Sequence, residues 1–114
     1  MGTPKSPIPK EILELYDSLI ASYPDIERKG KTTPYTSANG YMFTFLSNEG
    51  RMGIRLPKER RELFIHTYDT GLMEQYGRVM KEFVEVPDGL LKDKKVITPL
   101  IQKSLEYVMS LKPK

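Results

Sequence analysis

With 114 residues, 39% of them apolar and 29% charged, the chain has the length and composition of one folded domain rather than a disordered tail. Cysteine is absent, which removes disulfides, thiolate metal sites and a cysteine nucleophile together, and the reading is a cytoplasmic protein. A net charge of +3 permits contact with a polyanion without singling one out, and no apolar run approaches the roughly 20 residues of a membrane span.

Residues 1–8 carry Pro4 and Pro7 with little periodicity and read as a flexible lead-in to a single domain over 9–114. Their layout is not that of a secretory signal. Gly2 and Ser6 meet only the short myristoylation pattern, crowded by rigid prolines. A first helix is predicted from Pro9, because Ile12, Leu15, Tyr16, Leu19 and Ile20 recur at helical spacing while Glu11, Glu14, Asp17 and Ser18 fall opposite. Pro24 stops it. Residues 26–33 are expected to form a short, charged edge strand with a turn or bulge at Gly30, and residues 35–39 a polar connector.

Residues 40–57 hold the strongest pattern, two strands around a turn at Asn48 and Glu49. Pairing Leu46 with Arg51, Phe45 with Met52, Phe43 with Ile54 and Tyr41 with Leu56 puts Tyr41, Phe43, Phe45, Met52, Ile54 and Leu56 on one face. The other face then collects Met42, Thr44, Leu46, Arg51, Gly53 and Arg55. The aromatic side is expected to be core. The reverse side is left to meet water, a ligand or another protein.

After Leu56 the period changes. PKERRELFIHTY predicts a second helix with Leu63, Phe64 and Tyr68 on its apolar face and Lys58, Arg60 and Arg61 solvated. Two strands should follow, over 72–76 and 79–86, broken at Gly77 and closed by Pro87-Asp88-Gly89. KDKK at 92–95 reads as a solvated charge cluster. A last helix is predicted over 98–111, capped by Thr98 with Pro99 in its first turn, burying Leu100, Ile101, Leu105, Val108, Met109 and Leu111. The order α-β-β-β-α-β-β-α predicts an α+β fold, a two-layer arrangement of an antiparallel sheet packed by helices.

The residues that usually carry chemistry are sparse. Gly30-Lys31-Thr32 resembles the end of a phosphate loop, but Asp25 stands where the motif needs its earlier glycine and Pro34 obstructs the following helix. His66, the only histidine, has Asp69 within reach along a helix but no nucleophile beside the pair. No cysteine, one histidine and no Asp-x-Asp-x-Asp-Gly loop give no metal site, and no cofactor loop is present. The chain therefore reads as non-enzymatic, with no catalytic residues. Glu82 alternates on the same side as Met80, Val84 and Val86; if that side is buried, it needs Arg51 or Arg55 as a cationic partner.

The candidate contact residues are basic and aromatic-flanked: Arg28, Lys29 and Lys31 on the edge, Tyr35 after them, and Arg51 and Arg55 on one face of the hairpin. Such a set can hold a phosphate backbone and stack bases, while Asp25, Glu27 and Glu49 dilute the field.

These residues together resemble the amino-terminal domain of the TfoX/Sxy family of bacterial proteins associated with competence regulation. The resemblance spans residues 12–112. It rests on Lys29-Gly30-Lys31, Pro34-Tyr35-Thr36-Ser37, Gly40 with Met42-Phe43, Ile54-Arg55-Leu56, Arg61 and Phe64. Tyr76-Gly77, Val79-Met80, Val86-Pro87 and the closing Leu111-Lys112-Pro113-Lys114 of single-domain members continue it. Thr44-Phe45 stand where the regulator's branch commonly has two glycines. The family implies a two-layer fold with an antiparallel sheet and brings no catalytic residues. The expectation is a small binding or regulatory module acting on an unidentified protein or on a second copy of itself, with direct nucleic-acid binding as the alternative and no membrane partner.

Overall fold

The computed structural model describes residues 8–23, 26–30, 33–47, 49–75 and 77–114. The chain forms α1 (Lys10–Ile20), β1 (Tyr35–Ala38), β2 (Tyr41–Leu46), β3 (Met52–Arg55), α2 (Lys58–Tyr68), β4 (Leu72–Gln75), β5 (Arg78–Val86), α3 (Asp88–Leu91) and α4 (Lys94–Met109). The strands make one antiparallel sheet in the order β1-β2-β3-β5-β4. The α+β class and element order are those expected, with the short α3 added where only a turn was read.

One helical layer supplies the main core. Tyr16, Leu19 and Ile20 of α1, Phe64 of α2, Leu91 of α3, and Ile97, Ile101 and Val108 of α4 bury themselves against Phe43, Leu46, Met52, Ile54, Val84 and Val86. The α1 stripe works as its spacing predicts, with Ile12 and Leu15 half-buried at its margin. In α2 only Phe64 is buried, and Leu63 is 63% exposed rather than part of the apolar face. Phe64 and Tyr68, one turn apart, meet at a tilt of 47° with ring centroids 4.8 Å apart, and Leu63, next to Phe64, falls about 100° round the helix from it. Helix α4 begins at Lys94, ahead of the expected Thr98 cap, because Ile97 opens the stripe that Ile101, Ser104 and Val108 continue. Pro99 therefore lies inside the helix, on its exposed side, and Met109 is exposed instead of buried.

Two strand assignments change. Residues 35–38, read as a connector, are the edge strand β1, whose Thr36 is fully buried. Among the described residues of 26–33, the only pairing is an isolated bridge between Lys29 and Tyr35. A segment so charged has no face to bury, so it supports the edge of β1 rather than joining the ladder.

The hairpin register also differs by one residue. Leu46 pairs with Met52, Phe45 with Gly53 and Thr44 with Ile54. Between β1 and β2, Thr36 pairs with Thr44 and Ser37 with Met42, leaving Phe43 as the extra residue of a bulge. The bulge switches the alternation. Tyr41 and Phe43 stay on the helix side, Thr44 and Leu46 join them there, and Phe45 moves to the reverse face. Helix α4 supports the bulge: the buried Ser104 hydroxyl donates to the Phe43 carbonyl at 3.3 Å and to the Arg55 carbonyl.

Candidate functional site

The reverse face of the sheet carries a second apolar cluster built from strands alone. Phe45 of β2, Met73 of β4 and Phe83 of β5 are buried, and Tyr35, Met42 and Met80 pack against them while keeping part of their surface in solvent. Phe45 meets Phe83 edge to face, with centroids 5.3 Å apart. Gly53 opposite Phe45 makes this possible, since a Cβ there would stand 2.7 Å from the Phe45 ring and 3.1 Å from Met73 Cγ. Periodicity located Met42 on this face but missed Phe45, Met73 and Phe83. The odd-numbered alternation of Phe83 and Glu85 in β5 was the available signal for the last of these.

Charges border the cluster in pairs. Arg55 lies with its guanidinium 4.8 Å from the Phe83 ring centroid, donates from Nε to the Met42 carbonyl at 2.8 Å, and pairs with the Glu82 carboxylate. Arg51 reaches Glu85 at 3.2 Å and Glu49 at 3.9 Å. Glu82 pairs with Arg55, but its side chain is 42% exposed, so the buried setting that would have required a cationic partner does not arise. Met80 does not share a face with Val84 and Val86, because β4–β5 pairing jumps from Leu72–Val84 to Met73–Met80 and turns Met80 to the reverse face.

The remaining candidates do not converge there. Arg28 is held away at α1, with Nε and Nη2 donating to the Asp17 carboxylate at 2.9 and 3.2 Å and Nη1 to the Gly30 carbonyl. These hydrogen bonds to Asp17 push the Arg28 guanidinium above its ordinary value. Lys29 is exposed and exchanges both backbone bonds with Tyr35. Lys31 lies outside the described residues, as do Asp25 and Thr32. Tyr35 and Arg55 belong to the reverse face, while Arg51 leaves the β2–β3 turn to reach Glu85 and Glu49, so the described candidates do not form one site.

Little here resembles an activated chemical group. His66 is exposed on α2, and Asp69 forms the left-handed end of that helix. Among the described residues, no three His, Asp or Glu side chains gather as a metal centre would. No helix of the described residues is long and apolar enough to cross a membrane.

The architecture is thus an α+β domain with helices on one sheet face and an ion-paired apolar patch on the other. No family model, curated protein or solved structure matches the chain.

Proposed function

We propose that the domain is a small, non-enzymatic binding or regulatory module of the TfoX amino-terminal type, acting in the cytoplasm through protein–protein contact. The surface that supports this reading is the strand-built reverse face. Its aromatic and methionine side chains are the types enriched at protein interfaces. Its arginines already hold carboxylates, so the patch offers apolar area and satisfied charge rather than a field for a polyanion. The antiparallel sheet with one helical layer is also the fold that the resemblance implies, and its Tyr35, Met42, Arg55 and Met80 fall on this face.

Affinity capture with the wild-type protein and a Met80→Lys variant tests the reading. A protein retained by the first and lost from the second is the expected result. Tight, strongly salt-dependent binding to DNA or RNA that weakens in a combined Arg28→Ala, Lys29→Ala and Lys31→Ala variant would instead establish the nucleic-acid alternative.

A further inference from the structure

The turn between β1 and β2 places an asparagine before a glycine, the dipeptide in which a backbone nitrogen most readily attacks a side-chain amide. Gly40 has no Cβ to crowd that approach, and its nitrogen closes a five-membered ring when it bonds to Asn39 Cγ. The turn itself also calls for this pair, since Asn39 and Gly40 hold φ of 57° and 85°, both left-handed. The surroundings of the Asn39 amide are what set it apart.

The amide nitrogen, the group that leaves in such a reaction, is pinned by the end of α4. It donates to the Val108 carbonyl at 2.8 Å and to the Leu111 carbonyl at 2.9 Å, so both of its protons have acceptors. The Lys114 backbone N–H donates to the Asn39 carbonyl at 3.3 Å, and the Tyr41 hydroxyl holds the Lys112 carbonyl at 2.8 Å. A Cβ at Gly40 would stand 2.6 Å from Lys114 Cβ, so this segment sits directly on the turn, and Asn39 is half-buried against it.

We infer that Asn39 is a deamidation site, held shut by the end of α4 and opened when that end frays. Once the clamp lets go, the Gly40 nitrogen forms a bond to Asn39 Cγ and the Cγ–Nδ2 bond breaks. Ammonia leaves with the proton from the Gly40 nitrogen, and a succinimide ring remains. Water opens the ring at one carbonyl or the other, leaving aspartate or isoaspartate at position 39. The clamp cannot then re-form. A carboxylate donates nothing, and it would face two carbonyl oxygens at the negative end of the helix. Opening of α4 thus leads, in one irreversible step, to a domain whose last helical turn is released from the sheet.

Peptide mapping by mass spectrometry, with isoaspartate resolved chromatographically, follows the conversion in mildly alkaline buffer. Asn39 is expected to convert at least about tenfold faster in denaturing urea than in the folded chain. Tyr41→Phe frees the Lys112 carbonyl and leaves the dipeptide intact. It should speed conversion of the folded chain about threefold and leave the rate in urea unchanged. Asn39→Asp supplies one product directly, and should speed amide exchange at residues 106–111 about tenfold while the sheet keeps its protection. Equal rates in the folded and denatured chain, no conversion in urea, a Tyr41→Phe rate equal to that of the wild type, or unchanged exchange in Asn39→Asp would each overturn the inference.

Discussion

The Tyr16 hydroxyl, fully buried between α1 and the sheet, shares a 2.8 Å hydrogen bond with Thr44 Oγ1, which in turn shares a 2.6 Å bond with Thr36 Oγ1. Burial pushes the Tyr16 phenol well above its ordinary value near 10, and the bonds to the two threonines offset only part of that rise. The folded state therefore holds this proton more tightly than the unfolded chain does. The resulting stability is complete below about pH 10 and is lost as pH rises beyond it. Tyr16→Phe is expected to cost about 1 kcal/mol at neutral pH and to flatten the alkaline decline, read by thermal melting across pH. Gly53 makes the opposite kind of demand, for empty space. Gly53→Ala drives a methyl group into the rigid Phe45 ring and should lower the urea midpoint by the equivalent of about 1–3 kcal/mol. An unchanged midpoint would mean that Phe45 does not pack against this position.

At the scale of elements, one turn ties the sheet to the last helix. Asn39 and Gly40 take positive φ, at 57° and 85°, and close the β1–β2 hairpin. The Asn39 amide then donates to the carbonyls of Val108 and Leu111 at 2.8 and 2.9 Å, finishing α4. The Tyr41 hydroxyl adds a bond to the Lys112 carbonyl. Asn39→Ala removes the cap and places a Cβ residue without local hydrogen bonding in the left-handed region. A loss of about 1–2 kcal/mol is expected, with amide exchange accelerating first at residues 106–111. The two strands of the neighbouring hairpin show how far sequence alone could reach. In β3 the plain alternation of Met52, Gly53, Ile54 and Arg55 assigns both faces as observed. In β2 it fails past Phe43, because the bulge opposite Thr36 and Ser37 shifts the alternation by one residue and no local pattern announces it. In α2 and α4 the expected faces hold in part, with Phe64, Ile101 and Val108 buried and Leu63 and Met109 exposed.

Over the whole molecule, the three arginines among the basic candidates are already engaged. Arg28, Arg51 and Arg55 each hold a carboxylate, on α1, β5 and β5 respectively. The arginines were legible as candidates from composition and spacing. Their partners were not, because a pair such as Arg51 with Glu85 exists only once β3 lies beside β5. Surface pairs of this kind contribute at most about 1 kcal/mol each, so their consequence is mainly for recognition: they remove net field from the face. DNA and RNA titrations are accordingly expected to stay flat near physiological salt, and a steep salt slope would contradict that expectation. The apolar cluster beneath these pairs is the surface on which the proposed protein contact would form. Photocrosslinking from benzoylphenylalanine placed at Met80, with Gln102 on the helical side as control, tests that claim most directly. The account predicts a discrete protein adduct from position 80 and none from 102; equal yields at both positions, or adducts only with nucleic acid, would contradict it.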